Sequence, residues 1–136
     1  MALVTQTLQD SRWRTIVKGT FSGTTSASIL VNVSDLLGWV TGSKTNLAAV
    51  SWSTSSPIEL IWTGTTTAPV ALHLNGNGIY GGSNGMPAIT NLATGGAHLG
   101  DLVVTSAAAS VGFVVVVCHK VPTSAGTGWT GLATSG

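Results

Sequence analysis

Charged side chains are scarce in this sequence. Five basic and four acidic residues occur among 136, a share of 7%, whereas an ordinary soluble domain has about 25%. A protein that binds duplex nucleic acid makes about 6 to 10 phosphate contacts, so the five cations argue against nucleic acid as a main partner. A net charge of +1 also gives little electrostatic protection against association, which favours a place inside an assembly.

Cysteine and long apolar runs are equally limited. The single cysteine, Cys118, ends an apolar run, so we expect a buried, unreactive thiol and no disulfide within the chain. The longest apolar run, Phe113 to Cys118, is far shorter than the ~18 residues of a membrane span. The opening MALVTQTLQD lacks the basic and apolar regions of a signal peptide. We therefore expect a soluble protein without a membrane partner.

Helical periodicity is also lacking, and short stretches of period-two alternation between breakers take its place. Hydrophobic residues make up 43% of the chain, enough for a core. We predict an all-β fold, a single-domain antiparallel β-sandwich or jelly roll of seven or eight short strands, with a barrel as the topological alternative. The domain spans residues 1–121 with an extended N-terminal segment at 1–11, and residues 122–136 form a Gly/Ser/Thr-rich tail. The strands are predicted at Trp13 to Phe21, Ser28 to Ser34, Leu47 to Ser53, Ile58 to Thr63, Val70 to Leu74, Asp101 to Thr105 and Val111 to Lys120.

Three finer expectations follow from these patterns. The turn residues between the first two strands predict a hairpin. The strand Val111 to Lys120 is apolar on both faces, which is typical of a central strand covered on both sides. Trp13, Trp52 and Trp62 share strand faces with aliphatic residues, so core packing is expected for all three.

The stretch NGNGIYGGSNGMP, from Asn75 to Pro87, contains matches to two catalytic or cofactor motifs. Gly76 to Gly81 fits the G-x-G-x-x-G of dinucleotide binding, and Gly81 to Gly85 fits the G-x-S-x-G of a hydrolase nucleophile at Ser83. Both motifs require a helix to begin directly afterwards, and the residues up to Pro87 cannot start one. We expect no cofactor and no catalysis here, but a long loop available for contacts.

The histidines and the remaining tryptophans carry weaker signals. His73, His98 and His119 are not spaced as metal ligands on one element, so no metal site is predicted. Trp39 and Trp129 fall in loop and tail sequence, where an intersubunit anchor or a sugar-stacking platform is the expected role. The tail is either flexible or an arm that docks Trp129 and Leu132 on a neighbouring subunit.

Three segments of the sequence together resemble a known class of proteins. Thr5 to Asp10 (TQTLQD) leads into Thr15 to Thr20 (TIVKGT), and Gly100 to Thr105 (GDLVVT) comes late in the chain. This arrangement resembles small β-rich virion structural proteins of tailed bacteriophages. The chain departs from that pattern at Ser11, where a glycine is usual, and in its longer, glycine-rich loop after Leu74.

The resemblance implies a non-enzymatic capsid decoration, or cement, protein. Such a protein is made in the host cytoplasm, binds the major capsid protein on the capsid surface of the virion, and forms a homotrimer. The alternative is a carbohydrate- or receptor-binding head module of a phage tail or fibre, which would use the Asn75 to Pro87 loop. The residues we expect at interfaces are Gln6, Leu8, Trp39, Asn77, Tyr80, Asn84, Trp129 and Leu132.

Overall fold

The computed structural model describes residues 2–11, 13–24, 28–37, 45–63, 68, 70–81, 87–91 and 101–120. These residues form nine strands and one 3-10 turn at Val33–Asp35. The strands are β1 (Ala2–Asp10), β2 (Arg14–Gly23), β3 (Ser28–Val31), β4 (Thr45–Thr54), β5 (Ile58–Trp62), β6 (Val70–Leu74), β7 (Asn77–Gly81), β8 (Leu102–Thr105) and β9 (Ser110–Lys120). Among the described residues no helix is long and apolar enough to span a bilayer.

Two antiparallel sheets make an all-β sandwich, which confirms the predicted fold class. The five-stranded sheet has the order β1-β2-β9-β4-β7, and the four-stranded sheet has the order β3-β8-β5-β6. Every strand pair within them is antiparallel. The described residues hold nine strands rather than seven or eight, because both Ala2–Asp10 and Asn77–Gly81 are paired strands.

The core draws on alternate residues of both sheets. Val17 and Phe21 on β2 are buried, and their neighbours along the strand are half-buried or exposed. The same alternation buries Val114, Val116 and Cys118 on β9. Because fully burying one such side chain is worth about 1.5 to 3 kcal/mol, a strand shifted by one residue would lose this gain at every position. The four-stranded sheet supplies Leu60, Trp62, Leu102 and Val104 to the same cluster.

Four sequence-based expectations were wrong. The predicted hairpin does not form, because β2 pairs with β1 and β9 while β3 pairs with β8 in the other sheet. Trp13 precedes β2 and is 47% exposed, because the chain turns between Ser11 and Arg14, where the Ser11 N–H donates to the Arg14 carbonyl (2.9 Å).

The remaining two errors concern β7 and β9. Asn77–Gly81 is a strand rather than loop; it begins after a two-residue link, Asn75 and Gly76, in which Gly76 has a left-handed φ of 68°. β9 is central in its sheet, as expected, but it is covered on one face only. Val111 and Phe113 on its other face are 61% and 38% exposed.

Candidate interaction surfaces

A buried ion pair joins three segments at one end of the sandwich. The side chain of Lys120, at the end of β9, has no exposed surface, and its Nζ donates to Asp10 Oδ1 (2.6 Å) and to the Leu37 carbonyl oxygen (2.7 Å). Asp10, at the end of β1, accepts the Leu37 backbone N–H on its other oxygen, Oδ2 (2.7 Å). A buried charge is tolerated only when it is paired and hydrogen-bonded. This pair therefore fixes the ends of β1 and β9 and the segment after the 3-10 turn relative to one another.

The segments joined by this ion pair carry three large apolar side chains that face solvent. Leu8, Trp13 and Leu37 are 50%, 47% and 56% exposed; we call them the end surface. Leu8 lies at the register shift between Thr7 and Gln9 and has no residue opposite it on β2, as is usual at a β-bulge. Trp13 is held by its carbonyl oxygen, which accepts the Lys120 N–H (2.8 Å). The end surface is thus apolar and held in place by main-chain and ionic contacts.

A second apolar surface follows the outer face of the five-stranded sheet. Val111, Phe113, Val115 and Val117 alternate along β9 with buried core residues and point away from the other sheet; we call them the outer ridge. Val4 on β1 and Ile79 on β7 are exposed at the two edges of this sheet, at 62% and 69%.

The predicted interface residues that lie in the described ranges fall on opposite edges of that sheet. Gln6 and Leu8 lie on β1, and Asn77 and Tyr80 lie on β7, so the structure does not bring the two pairs together. Trp39, Asn84, Trp129 and Leu132, as well as the tail at 122–136, lie outside the described residues.

Asn77 and Tyr80 already have partners within the chain. Tyr80 packs against the core, and its hydroxyl donates to the Pro87 carbonyl (2.8 Å). The Asn77 Oδ1 accepts the Ser53 hydroxyl (2.6 Å). The ring of nearby Trp52 lies over Gly78, where an added β-carbon would overlap it, and its Nε1 donates to the Asn75 carbonyl (3.3 Å). Both aromatic rings thus pack against the core of the chain.

A cleft of about 250 Å³ lies beside the ion pair, between β1 and β3. Thr5, Thr7, Asp10 and Asp35 supply its polar lining. Both carboxylate oxygens of Asp10 are engaged by Lys120 and Leu37. Neither histidine nor cysteine is among the lining residues.

The remaining chemically reactive side chains are dispersed. His73 Nδ1 lies 3.3 Å from Glu59 Oε2 on neighbouring strands, with 74% and 38% of the two side chains exposed. Burial raises the pKa of Cys118 to about 12, against a smaller lowering by a hydrogen bond to Thr45, so the thiol is buried and protonated as expected. In the part of the chain that the structure describes, no three His, Cys, Asp or Glu side chains are grouped as metal ligands. Ser83 and His98 lie outside it.

Sequence reasoning overlooked Lys120 and Asp10, although a signal was present. On β9 the even-numbered residues Val114, Val116 and Cys118 face the core, and Lys120 continues that series. A lysine in phase with a buried face predicts a carboxylate partner. The chain has four acidic residues, and only the fold shows that Asp10 is the partner.

The chain was also compared with protein-family models, with curated proteins and with solved structures, and none of the three comparisons finds a match.

Proposed function

We propose that this chain is a structural protein of a tailed-phage virion, a capsid decoration protein that binds the outer face of the shell and stabilises it. One observation carries the proposal beyond the sequence resemblance. A chain with 7% charged residues exposes two separate apolar surfaces, the end surface and the outer ridge. Exposed apolar groups of this kind mark contact sites, and a protein that links neighbouring subunits needs at least two of them.

In this proposal the end surface contacts the major capsid protein. Trp13 is its central residue, because tryptophan is enriched among the residues that dominate binding energy at interfaces. The buried pair of Lys120 and Asp10 holds the end surface in one arrangement before binding, which reduces the entropy lost when the complex forms. The protein acts as a homotrimer on the capsid surface, and neither a cofactor nor nucleic acid takes part.

The first test is the number and location of copies in purified virions. A decoration protein is present in many copies over the head, and shells that lack it lose integrity at lower temperature or lower salt. Finding only a few copies at the tail tip would contradict the proposal.

The second test addresses the end surface. Shells that lack the protein are mixed with the purified wild-type chain, with Trp13→Ala, or with a control, Val70→Ser. Val70 is comparably exposed, at 42%, on the outermost strand of the other sheet. We expect Trp13→Ala to weaken shell binding at least tenfold with an unchanged unfolding curve, and Val70→Ser to bind as the wild type does. Equal binding by both variants would rule out the end surface as the coat contact.

The alternative function is a carbohydrate- or receptor-binding head module of a tail or fibre. It would rest on the segment from Asn75 to Pro87, where the polar atoms of Asn77 and Tyr80 that bond within the chain would have to exchange partners. A change in tryptophan fluorescence on adding glycans, together with a tail location, would favour this alternative over decoration.

A further inference from the structure

The outer ridge is an apolar line along the middle strand of the five-stranded sheet. β9 is third of the five strands, and Val111, Phe113, Val115 and Val117 line its outer side. Val111 is 61% exposed and Phe113 is 38% exposed. An apolar line this long is unusual on a sheet that is covered on one face only, because the outward-facing residues of an antiparallel strand are normally polar.

Small side chains border the outer ridge around Phe113, whereas Lys18 and Ile16 on β2 lie opposite Val115 and Val117. On β4, Ser53 lies opposite Phe113 and Ser51 lies opposite Val115. On β2, Thr20 lies opposite Phe113 and Ser22 lies opposite Val111. An open groove of about 510 Å³ lies over β4, between Phe113 on β9 and Ile79 on β7, and Ser51, Trp52, Ser53, Asn77 and Gly78 complete its lining. Around Phe113 the face therefore combines a raised apolar line with a lower strip that a similar line can enter.

This face carries few charged side chains. The register places two cations on it, Lys18 opposite Val115 and Arg14 opposite His119, and the Arg14 Nε donates to Gln9 (2.8 Å). None of the four acidic residues of the chain lies on this face: Asp10 pairs with the buried Lys120, Glu59 is in the other sheet, and Asp35 and Asp101 are outside both sheets. A second copy would bring these like charges into one interface, which costs binding energy, so the apolar residues and not the charges favour a contact between copies.

We propose that the occupant of this face is another copy of this chain. The outer face of the five strands measures roughly 700 Å² in projection, from strands about 4.8 Å apart that rise about 3.3 Å per residue. A specific interface of standard size buries about 800 Å² on each partner, so the face has about the area that a stable self-contact needs. In this contact the outer ridge of one copy enters the serine-lined strip of the next.

The position of the ridge is compatible with three copies. When three sheets surround one axis, the space is widest opposite the centre of each sheet and narrowest towards its sides. Here Phe113 lies on the central strand, and the smaller Ser51, Ser53, Thr20 and Ser22 lie on the strands beside it, while Lys18 and Ile16 flank the other end of the ridge. Only the count of three copies rests on the proposed function. The self-association itself can be tested without a virion.

The mass of the purified chain in solution is the first measurement, by light scattering or sedimentation. The wild type should have a multiple of 13.7 kDa, and Phe113→Glu or Val111→Glu should have the single-chain mass with an unchanged circular dichroism spectrum. Val70→Glu places the same charge on an exposed valine of the other sheet and should keep the wild-type mass. A monomeric wild type at ~100 µM, or an oligomer that survives both substitutions on the ridge, overturns the proposal.

Chemical cross-linking tests the same contact without introducing a charge. Ser51→Cys introduces a thiol at the side of the ridge, and Cys118 is buried, so a short bis-maleimide should link copies through residue 51. Val70→Cys is the matched control and should link at least tenfold more slowly; equal rates would contradict the contact. Many copies on the virion with a monomer in solution would overturn the self-contact alone, whereas an intact oligomer absent from virions would overturn decoration alone.

Discussion

Replacing Asp10 with alanine should cost far more stability than removing an ordinary surface carboxylate. The substitution leaves the ammonium of Lys120, whose side chain has no exposed surface, without its carboxylate, and leaves the Leu37 N–H without its acceptor. Breaking a buried ion pair by removing one partner costs about 3 to 5 kcal/mol. Because domains have a total stability of about 5 to 15 kcal/mol, this loss is a large share of the whole.

Urea unfolding followed by tryptophan fluorescence measures the effect. With an m-value of about 1.5 kcal/mol/M, the loss should lower the midpoint by about 2 to 3 M. The matched control is Glu59→Ala, which removes a carboxylate that is 38% exposed and paired with an exposed histidine. That pair should contribute less than about 1 kcal/mol. All variants must be compared at one protein concentration, because self-association adds to apparent stability.

A second substitution, at Lys120, shows how much of the lost stability comes from leaving the buried lysine charge unpaired. Lys120→Met in the Asp10→Ala background removes the buried charge and keeps an apolar chain of similar length. It should regain more than half of the loss, since apolar residues of similar volume often replace a buried ion pair without cost. The reasoning is refuted if Asp10→Ala is no more costly than Glu59→Ala, or if Lys120→Met makes the chain still less stable.

Two further predictions concern the backbone of β7 and the buried thiol. Gly81→Ala should prevent β7 from pairing with β4, because Gly81 has a left-handed φ of 81° and an added β-carbon would overlap the Ala48 carbonyl oxygen; Gly76→Ala, at a φ of 68° with open space around it, should cost only about 1 to 2 kcal/mol. Urea midpoints measure both, and equal costs would contradict the steric argument. Since burial raises the pKa of Cys118 from 9.0 to about 12, the unfolded chain loses the thiol proton first, and stability should fall by up to about 1.4 kcal/mol per pH unit between those values. Cys118→Ala should lack this part of the alkaline loss, and an identical pH profile for both proteins would show that the thiol does not contribute.

The strands were largely predictable because their signal is local. Leu47 to Ser53 and Ile58 to Thr63 lie within one or two residues of the observed β4 and β5. Alternating side chains and flanking turn residues specify an extended, half-buried segment without reference to the rest of the chain. The alternation of apolar residues did not predict where β2 begins. Trp13 continues the alternation of β2, but the turn held by Ser11 places it outside the strand.

β7 shows the opposite failure. NGIYG carries two glycines and no apolar alternation, so its sequence indicates a loop. Its strand conformation depends on distant residues, since Gly78 lies beneath the Trp52 ring and Gly81 lies against the Ala48 carbonyl, both on β4. Glycine normally weakens a strand, but both positions require it here because β4 lies too close for a β-carbon.

The candidate surfaces were predicted only in part, for a similar reason. Leu8 was expected at an interface and is exposed on β1, but Leu37 and Trp13 gave no such signal. Their segments meet that of Leu8 only because Lys120 and Asp10, 110 residues apart in sequence, form an ion pair at that end of the sandwich. A contact between such distant residues has no local signature.

By itself, the sequence determined that the chain has an all-β fold and that Cys118 is buried. These properties depend on composition and on patterns a few residues long. The tertiary structure alone decided which strands pair, that β9 is left uncovered on its outer face, and that Asp10 neutralises Lys120. Pairing and burial are settled by contacts among all the strands at once, and one strand's pattern specifies which face is apolar but not what covers it.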